Sequence, residues 1–583
     1  MKGDKTMKKT LALVLAAMML IAAFAGCSSQ NGSKDGKPSG WVNDYFTTLP
    51  TTVNGFTSTK TEDHTIMNLT SIKLYREYLN ETGDAYVGLP ELAAELPVQQ
   101  DEEGKVWRVT LRKGCKFMDG KEITADDIIF TYQMLLDPEQ INVQATNTIN
   151  SSQFALEGSG PYFEGEGSWD DVGIKKIDDY TLDFYSIRPV TQLQARRGIG
   201  AGTVLHKETF LRTLSEDKSY TAYGTDIDQY VSSGPFYIKE WIPDAKIVLE
   251  RNPDFIYADK IKIEGINFVA IPDAQTALEL FIKGDIDAVD ISYEHWQTYE
   301  EDPRVHNFYD DSLMYMFINL GNPNQNNLLG KLNFREALYY GIDRVTITNA
   351  VGGEPTARYV RKAVVGDLTN GTPFVEMPGS NDYIDDPTKI YQPAKANEFF
   401  LKALEECNLT SATMELMYSE TATRSRAIFE MMMVMLEENF NNKLDVSMRS
   451  VPAGQTITLR RWDPSNPTSF ETTMGSLLPS ADEPTASFNF FISSYSPPRF
   501  KYSDAEFDAM YEQSISLEAN LINDLKIELC QKMENKILKE RIIVPVYETE
   551  SKKLFADKIV LPTKDQQYIT GYGFGYPAFV SVK

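Results

Sequence analysis

Cysteine and histidine are scarce in this chain of 583 residues, which has four of each. Apart from Cys27, the cysteines are Cys115, Cys407 and Cys530, an odd number at wide spacing. The disulfide framework of small secreted domains is therefore not indicated, although one pair could form that the sequence does not identify. The histidines lie far apart and no HExxH or CxxC motif occurs, so no structural or catalytic zinc site is predicted.

Enzyme signatures and further apolar runs are also missing. The chain has no GxSxG motif, Walker loop or dinucleotide fingerprint, and no nucleophile–base pair or closely spaced catalytic carboxylates are evident. Beyond the N-terminal segment, no apolar run reaches membrane-spanning length. We expect a protein that is not an enzyme, with no catalytic residue, metal or cofactor.

Basic residues are fewer than acidic ones: the chain has 57 basic and 83 acidic residues, which gives a formal net charge of −26. Residues 1–26 contain four lysines and one aspartate, so the chain without them carries −29. Such acidity disfavours nucleic acid as a partner. It also disfavours adhesion to anionic lipid, but it does not identify a ligand.

The N-terminus has the pattern of a bacterial lipoprotein signal. Four lysines precede an apolar stretch of fifteen residues at 11–25, which is too short to span a membrane. The closing tetrapeptide Phe24-Ala25-Gly26-Cys27 resembles the lipobox, in which the cysteine thiol accepts diacylglycerol before cleavage. We predict a lipoprotein signal peptide over 1–26, lipidation of Cys27 and a flexible, Gly/Ser-rich tether over 27–40. The alternative is an ordinary signal peptide with an incidental cysteine.

The hydrophobic period changes within residues 105–138. Apolar and polar residues alternate over Trp107–Leu111, which predicts a half-buried strand. Thr124 then stands at a helix N-cap position, with Asp126 and Asp127 in the first turn. A catalytic or metal-binding pair is the other interpretation of these aspartates, but carboxylates in a first turn satisfy free amides and the helix dipole.

Five segments of the chain resemble the signature of family 5 extracellular solute-binding proteins, the peptide-binding class that serves ABC importers. The first is the block above, with Leu111-Arg112, Phe117, Asp119-Gly120 and Thr124 to Asp127. The others, in the family's order, are Gly234 to Pro253, Ile271 to Asp287, Phe317 to Arg344, and Tyr502 to Val546. The resemblance therefore spans nearly all of the chain after the tether.

The resemblance implies an α/β, periplasmic-binding-protein-like fold. Two lobes would be joined by two crossover strands, with an extra domain inserted in the N-terminal lobe. We place lobe I at 41–72, 175–289 and 549–583, the inserted domain II at 73–174, lobe III at 290–548, and the crossovers near 287–291 and 545–548. In the third matching segment, Asp273 should cap a helix that Gly284 ends.

The resemblance also implies a function that depends on closure of the lobes rather than on chemistry. We predict the substrate-binding lipoprotein of an ABC transporter, which captures oligopeptides, or less favourably oligosaccharides, and delivers them to a membrane permease. It would be extracytoplasmic, anchored to the cell membrane by lipid on Cys27, and monomeric. Its partners would be the small-molecule or oligopeptide ligand and the permease subunits. The alternative is a surface receptor or chaperone-like binding protein on the same scaffold, without a dedicated permease.

The candidate ligand site lies in the loop that ends at Pro484. In peptide binders of the family, an aspartate four residues before such a proline holds the α-amino group of the peptide, but here that residue is Ser480. Free-amino peptides should then bind little better than N-acetylated ones. Asp482 could replace the missing carboxylate, Glu483 could shape the turn, and Phe490 and Tyr495 could line the cleft or pack in the core. The predicted ligand-binding residues are Ser480, Asp482, Glu483, Phe490 and Tyr495.

Two further groups have a binding and a structural interpretation. Arg335, Asp343 and Arg344 could form a charged site, but on the flank of an amphipathic helix we expect them to fix contacts between elements. The methionines at 431–433 and 435 could form an adaptable surface, but we expect them to fill a core.

Overall fold

The structure is a computed structural model, and it describes residues 40–58, 60–79, 86–140, 142, 145–149, 151, 153–200, 202–292, 295–362, 364–367, 372–420, 422–452, 455–477, 483–495, 499–561 and 580–583. The predicted signal peptide and Cys27 lie outside the described residues. None of the helices in these ranges combines the length and apolar character needed to cross a membrane.

The β-strands of the described residues, numbered in chain order, are β1 (Trp41–Phe46), β2 (Tyr75–Leu79), β3 (Tyr86–Pro90), β4 (Val98–Gln99), β5 (Val106–Thr110), β6 (Ile174–Asp178), β7 (Thr181–Tyr185), β8 (Phe236–Ile242), β9 (Lys246–Arg251), β10 (Gly265–Ala270), β11 (Ala288–Ile291), β12 (Val305–Ile318), β13 (Glu354–Pro355), β14 (Val365–Asp367), β15 (Thr372–Pro373), β16 (Ala412–Ser419), β17 (Leu444–Val451), β18 (Thr472–Gly475), β19 (Ile543–Phe555), β20 (Ile559–Val560) and β21 (Ser581–Val582).

The α-helices of the same ranges are α1 (Thr61–Thr70), α2 (Ala125–Leu136), α3 (Ala145–Ile149), α4 (Ser159–Phe163), α5 (Gln192–Gly200), α6 (Lys207–Thr213), α7 (Ala274–Lys283), α8 (Trp296–Tyr299), α9 (Leu332–Gly341), α10 (Arg344–Val351), α11 (Pro393–Glu406), α12 (Thr423–Asn439), α13 (Gln455–Leu459), α14 (Ala505–Ser514), α15 (Leu517–Leu521) and α16 (Asn523–Lys539). A left-handed turn occupies Asn324–Asn327, and the 3-10 helices are Trp169–Asp171, Ile227–Gln229, Ala258–Lys260, Leu328–Gly330, Phe374–Glu376 and Pro484–Phe491.

The first large sheet has the strand order β1-β10-β9-β8. β1 runs parallel to β10, whereas β9 is antiparallel to both β10 and β8. The alternation of Ile247 and Leu249 predicted strand β9, and both side chains are fully buried. This sheet lies within the segments predicted for lobe I.

The second large sheet has the order β11-β19-β12-β18-β16-β17, and β13 also pairs with β19. β12 and β19 pair along most of their lengths, from Val305↔Leu554 to Phe317↔Ile543. β11 lies on the other side of β19 and begins beside β1, because Asp287 N donates to Asn43 O at 2.7 Å. Strands β11 and β19 therefore lie side by side at the junction between the two large sheets.

Helices cover both faces of the second sheet. Alternate residues of β12 point to opposite faces, so Met316 packs in one apolar core while Tyr315 and Phe317 pack in another. The first core also contains buried residues of α9 to α12, and the second contains residues of α14 and α16. A sheet covered on both faces is typical of an α/β protein.

A third sheet, of order β4-β5-β7-β6, crosses a predicted domain boundary. β7 pairs with β5 from Val106↔Tyr185 to Thr110↔Thr181, and β6 pairs with β7. Because β6 and β7 complete the sheet that β5 begins, we propose that the inserted segment extends to Tyr185 rather than to 174. The sequence interpretation missed this pairing because its partners are about 70 residues apart.

Several local predictions are confirmed by hydrogen bonds. Asp127 Oδ2 accepts from Thr124 N at 2.9 Å, so the aspartate belongs to a capping box at the start of α2. Asp273 Oδ1 accepts from Thr276 N at 2.7 Å and caps α7, which ends at Gly284 with φ +83°. Only a residue that tolerates a left-handed backbone ends a helix in this way, which favours glycine.

The two ambiguous groups take up structural positions. Arg344 is 1% exposed and donates to backbone carbonyls, while Asp343 caps α10. Met432 is completely buried in the core beside β16, as expected of a core residue. The three cysteines of the described residues, Cys115, Cys407 and Cys530, are free, so the pair that the sequence left open does not form.

Candidate ligand-binding site

Two of the predicted ligand-binding residues, Ser480 and Asp482, lie outside the described residues. Glu483 is described, and its position is deep in the protein, where it is 2% exposed. A carboxylate oxygen of Glu483 lies 3.4 Å from Nζ of Lys526 on α16, a residue that is 5% exposed. This buried ion pair joins the start of the Pro484–Phe491 helix to α16.

The aromatic pair Phe490 and Tyr495 lies at the other end of that 3-10 helix. Their ring centroids are 5.5 Å apart at an interplanar angle of 67°, an edge-to-face contact. Phe490 is 8% exposed and belongs to the core that contains Phe317, whereas Tyr495 is only half-buried. Phe490 is therefore mainly a core residue, and Tyr495 is the more exposed of the two.

Three arginines lie in the same region, and we call Arg460, Arg461 and Arg499 the arginine cluster. Cζ of Arg499 is 5.8 Å from the ring centroid of Phe490, and Cζ of Arg460 is 4.8 Å from that of Phe317. Both distances are those of cation–π contacts. The cluster therefore lies over the aromatic side chains of this core, at the carboxyl end of β18.

A glycine makes room for the cluster. A Cβ atom at Gly475, the last residue of β18, would collide with Nη1 of Arg460. The absence of a side chain lets the guanidinium group lie directly on the strand end. Nη2 of Arg460 is 3.4 Å from Ser476 O, which is at the long limit for a hydrogen bond.

The positive charges of the cluster lie close enough to disfavour one another. Burial, followed by the charges of Arg499 and Arg461, lowers the pKa of Arg460 to about 10. Burial and the charge of Arg499 also lower the pKa of Arg461. A pKa near 10 still leaves the guanidinium cationic at neutral pH, so the site concentrates positive charge in a chain of net charge −26.

The sequence interpretation identified the aromatic pair but missed the arginine cluster. Two basic segments in this acidic chain could have indicated the cluster, namely the doublet Arg460-Arg461 and the tripeptide Arg499-Phe500-Lys501. Nothing local brings them together, because almost forty residues separate them. Among the residues described, no group of histidine, cysteine or acidic side chains has the arrangement of a metal site.

Comparisons with known proteins agree with this architecture. Residues 89–497 match the bacterial extracellular solute-binding proteins, family 5 Middle. The dipeptide-binding protein DppE of Bacillus subtilis is 22% identical over 508 residues, which cover 86% of this chain and 84% of the relative.

Two solved structures have the same fold. The substrate-binding domain of an oligopeptide ABC transporter from Bacillus anthracis superposes with a TM-score of 0.73 at 20% identity, over 94% of this chain and 100% of that one. OppA of Listeria monocytogenes bound to peptide superposes with a TM-score of 0.71 at 20% identity, over 93% and 99%. The two-lobe α/β fold expected from the sequence is confirmed, and the family binds solutes rather than transforming them. The match of 409 residues, well over half of the chain, shows that it belongs to the family 5 bacterial extracellular solute-binding proteins.

Proposed function

We propose that this protein is the substrate-binding lipoprotein of an ABC importer that captures oligopeptides and delivers them to a membrane permease. The observation that carries the proposal is the family match over residues 89–497, together with relatives and solved neighbours whose names specify dipeptide or oligopeptide binding. A monomer is sufficient for this task. The alternative function, a surface receptor without a dedicated permease, would differ from this proposal in its partner and not in its ligand.

Closure of the two lobes is the physical basis of capture. A ligand that touches both lobes stabilises the closed form by the difference between its affinities for the closed and open states. Strands β11 and β19, the two strands at the edge of the second large sheet that begins beside β1, are suited to act as the hinge. A permease that binds the closed form better than the open one would then select the loaded protein.

Peptide capture is expected to appear as thermal stabilisation of the lipid-free chain from residue 28 onward. An oligopeptide at 100 times its Kd should add about 2.7 kcal/mol to the free energy of unfolding, because only the folded state binds it. Differential scanning fluorimetry with oligopeptide and oligosaccharide collections measures this effect. Stabilisation by oligosaccharides but by no peptide would contradict peptide capture and favour the saccharide alternative.

The lipid anchor on Cys27 is a separate part of the proposal. A diacylglycerol group supplies two acyl chains, enough for stable membrane attachment, so the wild-type protein should sediment with membranes. Cys27→Ser should move most of the protein to the soluble fraction, whereas the matched variant Cys115→Ser should stay with the membrane. Fractionation and the mass of the N-terminal peptide measure this, and a Cys27→Ser protein that remains membrane-bound would rule out the anchor.

A further inference from the structure

An open depression lies between the inserted segment and the first large sheet, and it shares no residue with the candidate ligand-binding site. Its volume is about 570 Å³, which is within the range of small-molecule sites in proteins. One wall is formed by residues 111–115, directly after β5, and the other by Asp254 and Ile256 in the turn after β9. Ligand sites occur preferentially where two such segments meet.

The floor of this depression is apolar. Leu111 is 2% exposed and belongs to the apolar core of this half of the molecule, and Ile256 packs against the same core. Ala94 completes the apolar lining. An aliphatic group that enters the depression therefore leaves water and contacts side chains that packing already holds in place.

Two basic side chains line one wall. Nε of Arg112 donates to Glu91 O at 3.1 Å, which fixes the base of the guanidinium group. In the described residues no carboxylate lies within ion-pair distance of Arg112 or Lys113, and Nζ of Lys113 lies 5.0 Å from the ring centroid of Tyr180. The other N–H donors of Arg112 are therefore available to a carboxylate.

One acidic side chain lines the opposite wall. Asp254 is exposed, its backbone N donates to Asn252 Oδ1 at 3.0 Å, and no basic side chain of the described residues forms an ion pair with its carboxylate. Arg112 and Asp254 thus line the same depression without pairing with each other. Opposite charges held apart over an apolar floor are complementary to a ligand that carries both charges beside an apolar group.

The thiol of Cys115 also lines the depression. Cys115 is half-buried, whereas Cys407 and Cys530 are completely buried. Burial raises the pKa of the Cys115 thiol, and the positive charge of Arg112 opposes that shift. The thiol is therefore neutral at neutral pH and leaves the charge of the depression to its basic and acidic side chains.

We propose that this depression is a second ligand site, which binds a zwitterionic α-amino acid with an aliphatic side chain. Arg112 binds the carboxylate, Asp254 binds the ammonium group, and Leu111 and Ile256 contact the side chain. The site is independent of peptide capture, because none of its residues belongs to the candidate ligand-binding site. A protein that captures peptides would then also bind the amino acids that peptide hydrolysis releases.

Alkylation of Cys115 locates the ligand. In the lipid-free chain from residue 28 onward, iodoacetamide should modify Cys115 before the two buried cysteines. Saturating L-leucine should slow this modification at least about tenfold, because the bound ligand covers the thiol. N-acetyl-leucine and leucinamide, which each lack one charge, should need at least about tenfold higher concentrations for the same protection. Mass mapping of the alkylated peptides measures both effects.

Variants assign the binding to the two charged walls. Arg112→Gln and Asp254→Asn should each raise the Kd of L-leucine, measured by isothermal titration, at least about tenfold. The matched controls Lys116→Gln and Asp259→Asn remove exposed charges from the same two segments but outside the depression, and they should keep the wild-type Kd within about twofold. Melting temperatures check that each variant is folded. Because Asp254 is exposed, its variant tests the site even if the loss of the Arg112–Glu91 hydrogen bond destabilises the other.

Several results would overturn the site. The absence of L-leucine binding to the wild-type protein would do so, as would equal protection of Cys115 by leucine and its singly charged analogues. Leucine that binds only in the candidate ligand-binding site would leave Cys115 reactive and would bind both folded variants with an unchanged Kd, which also contradicts the proposal. Peptide binding is measured separately by thermal stabilisation, so failure of the amino-acid site and failure of peptide capture are distinguishable.

Discussion

Replacing Glu91 with alanine is expected to lower the free energy of unfolding by about 3–5 kcal/mol. Glu91 is fully buried, and its carboxylate accepts hydrogen bonds from Arg76 Nε at 2.6 Å, Tyr78 OH at 2.9 Å and Lys73 N at 2.9 Å. Arg76 is itself only 3% exposed. The variant would leave a buried guanidinium without its carboxylate and two further donors without their acceptor.

The loss of stability expected for Glu91→Ala depends on charge as well as on hydrogen bonds. Burial lowers the pKa of Lys73 to about 7, and the nearby charge of Glu91 opposes that shift. Removing Glu91 therefore disfavours two cations at once. Glu91→Gln, which keeps the shape and part of the hydrogen bonding, should cost less than Glu91→Ala. The double variant Arg76→Met with Glu91→Met should recover part of the loss, because it leaves no unpaired charge.

Urea unfolding followed by circular dichroism measures these changes, since a shift of the midpoint at constant slope reports stability. The matched control is Glu102→Ala at an exposed position eleven residues away, for which a change within about 0.5 kcal/mol is expected. A loss below about 1 kcal/mol for Glu91→Ala would contradict the structural argument.

The features that the sequence predicted correctly are those determined by neighbours in the chain. The capping box of Thr124 and Asp127 and the cap and stop of α7 at Asp273 and Gly284 each depend on residues within one helix. Hydrophobic alternation likewise predicted β5 and β9. The family resemblance then supplied the two-lobe α/β fold, which local patterns do not contain.

The features that the sequence did not predict are those that join distant segments. The inserted sheet extends to Tyr185 because β7 pairs with β5 across about 70 residues. Glu483 is buried because Lys526, on a helix 43 residues later, reaches it. The arginine cluster exists only when residues 460–461 and 499 meet at the end of β18. The hydrophobic period of a short segment contains no information about such contacts. The sequence therefore predicted the aromatic residues of the candidate site but not its arginine cluster.

The second large effect is expected at Arg344, whose replacement by alanine should lower the free energy of unfolding by about 3–4 kcal/mol. Its Nε donates to Pro545 O on β19 at 2.8 Å, and its Nη1 donates to Tyr339 O at 3.0 Å and to Ile342 O at 3.2 Å. Burial lowers its pKa to about 10, so it is cationic at neutral pH. Alanine would leave these carbonyls buried without their donor and would open a cavity beside β19.

This prediction also decides between the two interpretations of the charged group at Arg344. If the arginine fixes α10 to β19, Arg344→Ala should lose stability but keep its ligand affinity within about threefold when measured well below its melting temperature. Arg344→Lys should lose less stability than Arg344→Ala, because it keeps the positive charge. It should still be less stable than the wild type, because lysine lacks the planar set of N–H donors of arginine. Arg426→Ala, at an exposed position on α12, should change stability by no more than about 0.5 kcal/mol. A folded Arg344→Ala protein with unchanged melting temperature and abolished peptide binding would instead place Arg344 in the ligand site.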